Sequence, residues 1–246
     1  MRIPATTKNY CSVCGAAPKI WIEKRVINDK LASDWSLSPS LRKKIDLRES
    51  SICPNCGNSR RTRVLAQSIL KTSPTNHMNL IGWISYANKR NLKVAEINGC
   101  GQLHQYLKGL KHLSYSEYVP AENLKTRVKN LLKGISNQDI CNLSYKNNQF
   151  DLVIHSDVLE HVPDYQKAIS ECKRILKPTG ICLFTTPIIM RRRTKDRKNM
   201  SPSFHGSGES DNYVFWEFGQ DILKKNKIRI FFSEPKFENY VFAVTK

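Results

Sequence analysis

"FDLVIHSDVLEHVPD", residues 150–164, is the stretch whose reading decides the fold. Phe150, Leu152, Val153 and Ile154 make a short apolar run with β-branched members, which predicts a buried strand. Within two residues the character changes, and His155, Asp157, Glu160 and His161 crowd into a polar elbow. By residue type those four could hold a metal, yet no H-x-x-x-H pair lies on one helix. The favoured reading is that Asp157 and Glu160 shape a strand-to-helix elbow and that His161 packs near a ligand pocket.

Strand and helix alternate on both sides of this stretch, the pattern of a parallel α/β sheet. "LKVAEI" (92–97) and "HLSYSEY" (112–118) predict two strands, each ending near a carboxylate, with "GQLHQYLKGL" (101–110) helical between them. "ISNQDI" (135–140) predicts a short third strand and turn. After the fourth strand, "DYQKAISECKRILKP" (164–178) is an amphipathic helix with Ala168, Ile169, Cys172, Ile175 and Leu176 inward. "ICLFTTP" (181–187) is a fifth strand. Beyond a basic insertion, "VFWEFGQDILKKN" (214–226) predicts a helix. "KIRIFF" (227–232) and "YVFAVT" (240–245) lie close enough to pair as a hairpin, which parallel strands cannot do.

The eight cysteines fall into two kinds. Cys11, Cys14, Cys53 and Cys56 form two C-x-x-C pairs, "CSVCG" and "CPNCG", while Cys100, Cys141, Cys172 and Cys182 stand singly among apolar neighbours. A two-residue gap lets both thiolates of a pair reach one tetrahedral ion, and the following Gly lets backbone turn toward the sulfurs. Four such thiolates predict a structural Zn²⁺ site, and the single cysteines read as small core residues. The intervening segment holds two predicted helices, "SPSLRKKI" and "SRRTRVLAQSIL", before a polar, Pro-containing linker at 71–77. Two units follow: a zinc-ribbon-like module at 1–75 and an α/β domain at 76–246.

A chain of 246 residues with 40% apolar residues is long enough for a full domain and a smaller one. No leader-like segment opens it and no apolar run could span a bilayer, which predicts a soluble, cytoplasmic protein. The net charge of +19 favours acidic partners such as RNA, anionic glycans or nucleotide-linked substrates. Against that, 25 Lys and 19 Asn suggest a compositional bias spread over solvated faces. One cluster stands apart: "RRRTKDRK", Arg191–Lys198, read either as a clamp for phosphate or carboxylate or as a solvated loop.

In an open α/β sheet the ligand lies outside the carboxyl ends of the strands. "EINGCG" puts Gly99 and Gly101 in the turn after the first strand, where backbone can approach a ligand. Glu117 follows Glu96 by 21 residues, the place of a ribose-binding carboxylate. Asp139 sits in the turn after the third strand, where it could accept from an exocyclic amine.

Together "VAEINGCG", "YSEY", "NQDICNLSYKNNQFDLVIHSDVLEHVPD" and "AISECKRILKPTGICLFTTP" resemble a class I S-adenosylmethionine-dependent methyltransferase of the type 11 group, firmly over 90–187. "FHG" and "VFWEFGQDIL" are similar to C-terminal segments of members with an N-terminal zinc-ribbon-like segment. The resemblance implies a Rossmann-like seven-stranded sheet with the last strand antiparallel. It places the methionine end of S-adenosylmethionine against Gly99 and Gly101, near Glu96. The ribose would fall on Glu117, the adenine on Asp139 and Ile140, and the sulfonium beside His155 and Ser156. The usual turn reads acid-x-Gly-x-Gly-x-Gly. Counted from Glu96, its glycine positions hold Asn98, Cys100 and Gln102; shifted by one, Gly99 and Gly101 fill two and Leu103 the third.

Methyl transfer needs alignment of the nucleophile, exclusion of water and, for a hydroxyl acceptor, a base. His205, in the insertion after the fifth strand, and His161 are the candidates. The Asn/Asp-Pro-Pro-Tyr signature of amine methylation is absent after the fourth strand. The expected activity is therefore methyl transfer to a small-molecule or glycan-like acceptor, at oxygen. The alternatives are an RNA methyltransferase using the zinc module and basic surface, or a zinc-ribbon binding protein with a degenerate, non-catalytic domain.

Overall fold

The structure is a computed structural model that describes residues 10–204, 213–225 and 227–246. At its centre β4 (Phe150–Ser156) is buried on both faces, as expected for its apolar run. It pairs in parallel with β1 (Val94–Ile97) on one side and β5 (Leu176–Thr185) on the other. β2 (Leu113–Glu117) and the two-residue β3 (Ser136–Asn137) extend the sheet beyond β1. β9 (Arg229–Glu234) and β10 (Asn239–Thr245) form the expected hairpin, and β10 inserts antiparallel beside β5. The order β3-β2-β1-β4-β5-β10-β9 makes a seven-stranded sheet.

One face of the sheet is covered by α7 (Tyr165–Ile175), which buries Ala168, Ile169, Cys172 and Ile175. Its start is fixed by Asp164, whose side chain accepts from the Lys167 amide. Each fully buried aliphatic side chain here contributes about 1.5–3 kcal/mol. The other face is covered by α3 (Arg60–Leu70) and α4 (Leu80–Lys89), together with α5 (His104–Leu107). Ser59 and Asn79 cap α3 and α4 in the same way as Asp164.

α3 belongs by sequence to the cysteine-bearing segment, yet it packs on β5, β9 and β10. Cys11, Val13 and Cys53 share one core with Leu80, Leu103 and Val241. Residues on both sides of position 75 therefore bury a common surface. Ahead of α3, α1 (Asp29–Asp34) and α2 (Pro39–Glu49) enclose a small core of Ile27, Ala32 and Ile45.

One predicted helix is corrected. Residues 214–226 hold β8 (Trp216–Gly219) followed by the single turn α8 (Ile222–Lys225). β8 pairs with β6 (Ile188–Ile189) and β7 (Lys195–Asp196). The aromatic residues Trp216 and Phe218 both reach Tyr165 of α7, an i, i+2 pattern that a strand satisfies and a helix does not. Among the described residues, no helix is long and apolar enough to cross a membrane.

Candidate active site

The carboxyl ends of β1 and β2 bring together the turn and the carboxylate singled out in the sequence. Asn98, in the left-handed region at φ 52°, opens the turn and accepts from the Tyr118 amide. The Gly99 amide donates to Glu117 Oε1 at 3.2 Å, and the Tyr115 hydroxyl donates to the same oxygen. A Cβ at Gly99 would lie 2.9 Å from Tyr115 Oη and 3.0 Å from Glu117 Oε1, so the close approach requires glycine. Gly101, at φ 60°, faces open space in which a Cβ would touch nothing within 4 Å. A carboxylate beside a glycine turn is the chemistry that suits the ribose and methionine ends of S-adenosylmethionine.

The other expected cofactor contacts are placed less simply. Glu96 is fully buried; its Oε1 accepts from the Cys100 amide and its Oε2 lies 2.6 Å from His104 Nδ1. Burial raises its pKa, opposed by those two hydrogen bonds. Glu96 thus braces its own turn. Asp139 is exposed and accepts from the Cys141 amide, whereas Ile140 is buried in the core. His155 is corrected: its ring is 1% exposed, stacks on Phe184 at 4.8 Å and sits with Cys172 and Cys182 under α7. The β4 alternation turns its side chain into the core. Ser156, the next residue, points the other way and bonds Thr185 Oγ1 at 2.8 Å.

Ser156 also receives Arg61, which sequence reasoning missed. Arg61 reaches from α3 to the end of β4, donating to Ser156 Oγ, to Glu49 Oε2 at 2.8 Å and pairing with Asp157 Oδ2 at 3.1 Å. Nothing local marks it, since "SRRTRV" reads as an ordinary basic helix start. Glu49 is shared with Arg48 at 2.7 Å. Burial would raise the Glu49 pKa, but Arg61 and Arg48 outweigh it and hold the carboxyl at about 2.

Beside this network lies a cavity of about 340 Å³. Val26, Leu31, Trp35 and Leu37 wall it from the cysteine-bearing segment, and Pro187, Ile188 and Phe204 from the stretch after β5. Glu160 and His161 also line it. Glu160 is buried, with Oε2 accepting from Thr186 and Oε1 without a hydrogen bond. Burial, then the nearby Asp157, pushes its pKa up from the usual carboxylate range, opposed by the Thr186 hydroxyl and by Arg61. His161 Nδ1 lies 2.8 Å from the Tyr213 carbonyl, which only accepts, so Nδ1 is the donor of that bond. Nε2 is 3.7 Å from Glu160 Oε1. His205 lies outside the described residues.

The elbow residues do not gather around one point. Among the described residues, convergent ligand sets are Cys11, Cys14, Cys53 and Cys56, and His155, Cys172 and Cys182. In the first set, sulfurs approach at 3.6 Å (Cys11 to Cys56) and 3.8 Å (Cys14 to Cys53). A tetrahedral ion with bonds of about 2.3 Å has an edge near 3.8 Å, so the spacing fits Zn²⁺. Both pairs turn alike: Gly15 donates to the Cys11 carbonyl and Gly57 to that of Cys53, at φ 80° and 70°. A Cβ at Gly57 would lie 3.5 Å from Gln102 Cγ, so the second pair abuts the glycine turn.

The basic run is absorbed into structure at Arg192 and Arg197, while Arg191, Arg193, Lys195 and Lys198 are exposed. Arg192 donates to the carbonyls of Trp35 and Ser36, and the buried Arg197 pairs with Glu217. These bonds brace the insertion against the cysteine-bearing segment and against β8.

Residues 98–184 match the model of a family described as a methyltransferase domain. The ubiquinone biosynthesis O-methyltransferase of Actinobacillus pleuropneumoniae serotype 5b (strain L20) is 38% identical over 52 residues, 21% of this chain and 20% of that one. The demethylmenaquinone methyltransferase of Staphylococcus saprophyticus subsp. saprophyticus is 30% identical over 110 residues, 41% and 47% of the two chains. The chain thus spans about a fifth of the length of the first of these relatives and about half of the second. A solved S-adenosylmethionine-dependent methyltransferase from Clostridium acetobutylicum ATCC 824 aligns with a TM-score of 0.40 at 16% identity, over 65% of this chain and 86% of that one. The family match runs from the turn after β1 into β5, the half of the sheet that carries the glycine turn and the end of β4.

Proposed function

We propose that the protein methylates a small-molecule acceptor at oxygen, with S-adenosylmethionine as donor and Zn²⁺ held by Cys11, Cys14, Cys53 and Cys56. Bound S-adenosylmethionine supplies a methyl group already activated on a sulfonium. Glu117, Gly99 and Gly101 hold that donor at the ends of β1 and β2, and Asp139 reaches its base. The observation that carries the reading is His161. Its imidazole is held through Nδ1 by the Tyr213 carbonyl, in a cavity beside the ends of β4 and β5. An imidazole oriented in this way is the group type that takes a proton from an acceptor hydroxyl. His205 remains a second candidate for that contact. The quinone-pathway names of the relatives agree with oxygen as the target and with a ring-bearing acceptor.

In this reading residues 1–75 form the metal-bearing segment and 76–246 the catalytic domain. Zn²⁺ there is structural: four thiolates close its coordination and leave no open position for chemistry. The test is calorimetric titration with S-adenosylmethionine and S-adenosylhomocysteine, followed by labelled methyl transfer. His161→Asn should lower kcat roughly 10²–10⁴-fold and leave cofactor affinity unchanged. Absence of cofactor binding at millimolar concentration removes the enzyme reading.

A further inference from the structure

The charges that floor the cavity satisfy one another. Arg61 is engaged by Glu49, Asp157 and Ser156. Arg48 is engaged by Glu49 and by the Glu238 carbonyl at 3.2 Å. Two guanidinium groups therefore face two carboxylates, so the charge of the floor is balanced before any ligand arrives. An anionic acceptor would have to displace Glu49 or Asp157 from a buried arginine, leaving a carboxylate unpaired, which is costly. The +19 net charge does not extend into this chamber.

The walls restrict the ligand further. Val26, Leu31, Trp35 and Leu37 face Pro187, Ile188 and Phe204 across the space. Sugar hydroxyls against these side chains would lose water without gaining partners. At about 340 Å³ the cavity is at the lower end of ligand-site volumes, enough for one or two rings and too small for an oligosaccharide. Beyond the paired floor, Glu160 Oε1 has no hydrogen bond and His161 lies alongside it.

We infer that this chamber, half of it built by residues 26–61 of the cysteine-bearing segment, is the acceptor site, and that its acceptor is an uncharged, mainly apolar ring compound carrying a hydroxyl. The inference rests on the methyl-transfer reading for the word acceptor, though not for the ligand class. The ring lies between the apolar walls, and its hydroxyl meets Glu160 and His161. The N-terminal segment is then a specificity element: Val26 and Phe204, both partly exposed, stand at the mouth. This replaces the anionic acceptor expected from the net charge.

The probes are naphthol, its ring-sulfonated anion and methyl glucoside, titrated by calorimetry into the full zinc-loaded chain with and without S-adenosylhomocysteine. Naphthol should bind at least tenfold tighter than the sulfonate, with no heat from the glucoside. Val26→Asp and Phe204→Ala change exposed side chains, so folding is not at stake, and each should weaken naphthol at least fivefold. Their S-adenosylhomocysteine affinity should stay within twofold. The inference is overturned if naphthol does not bind, if the sulfonate binds as well, or if both variants bind naphthol as the parent does. A chain that binds naphthol in this pattern yet ignores S-adenosylhomocysteine supports the ligand assignment and removes the methyltransferase reading. The reverse result leaves the methyltransferase reading standing and removes the chamber.

Discussion

Replacing Glu49 by Gln keeps the shape of the side chain and removes one carboxylate from between two arginines. Arg48 and Arg61 reach its two oxygens at 2.7 and 2.8 Å, and the side chain is only 17% exposed. Burial pushes the carboxyl pKa up, but Arg61 and Arg48 together bring it from 4.5 to about 2. At roughly 1.36 kcal/mol per pH unit, that depression is worth about 3 kcal/mol to the folded state. Breaking a buried pair by removing one partner independently suggests about 3–5 kcal/mol. The folded carboxyl ionises at lower pH than the unfolded one. Its stabilisation is therefore complete above about pH 5 and drains away as the pH falls toward 2. Urea unfolding followed by tryptophan fluorescence should place Glu49→Gln about 3 kcal/mol below the parent at pH 7, a fall in Tm of roughly 6–12 °C. At pH 3 the gap should shrink to less than half of that. The thiolate site is common to both chains, so its protonation cancels in the difference. A gap under about 1 kcal/mol at pH 7, or one that persists unchanged at pH 3, would refute the paired-charge account.

Two further outcomes follow from the cofactor turn. Glu117→Ala removes the acceptor for the Gly99 amide and the Tyr115 hydroxyl, and should weaken S-adenosylhomocysteine at least tenfold by calorimetry; an unchanged Kd would mean that β2 does not end at the cofactor. Stripping the metal with chelator, or Cys53→Ser, should weaken S-adenosylhomocysteine several-fold, because Gly57 supports Gln102 beside Gly101. Elemental analysis must show the zinc gone while far-UV dichroism is retained, and an unaltered Kd in such a sample counts against the coupling.

The parts of this molecule legible in the sequence are those set by local periodicity. The apolar run at 150–154 folds as read, and the amphipathic 164–178 does so as far as Ile175, after which Leu176 already opens β5. The hairpin of β9 and β10 was also readable, because a short connection dictates antiparallel pairing. Where competing periods overlap, reading failed: "VFWEF" satisfies both a helix and a strand, and only the packing of Trp216 and Phe218 on Tyr165 decides. Side-chain direction at a strand end was equally hidden, since one step of the pleat separates the core-facing His155 from Ser156. Arg61 was invisible for another reason. Its partners Glu49, Ser156 and Asp157 are up to 96 residues away, and no local pattern records a tertiary ion pair.

The packing of α3 on β9 and β10 also has a bearing on how the chain is made. The cysteine pairs and α3 are complete once residue 70 has been synthesised, but β10 ends at Thr245, 175 residues later. At about 5–20 residues per second, Val64, Leu65 and Ile69 have no finished sheet to cover for roughly ten to thirty seconds. During that interval the apolar face of α3 is exposed to wrong partners. Early closure of the four cysteines would hold α3 in a preset orientation until the last strand arrives. A clipped carboxyl terminus would then damage first the opposite end of the chain.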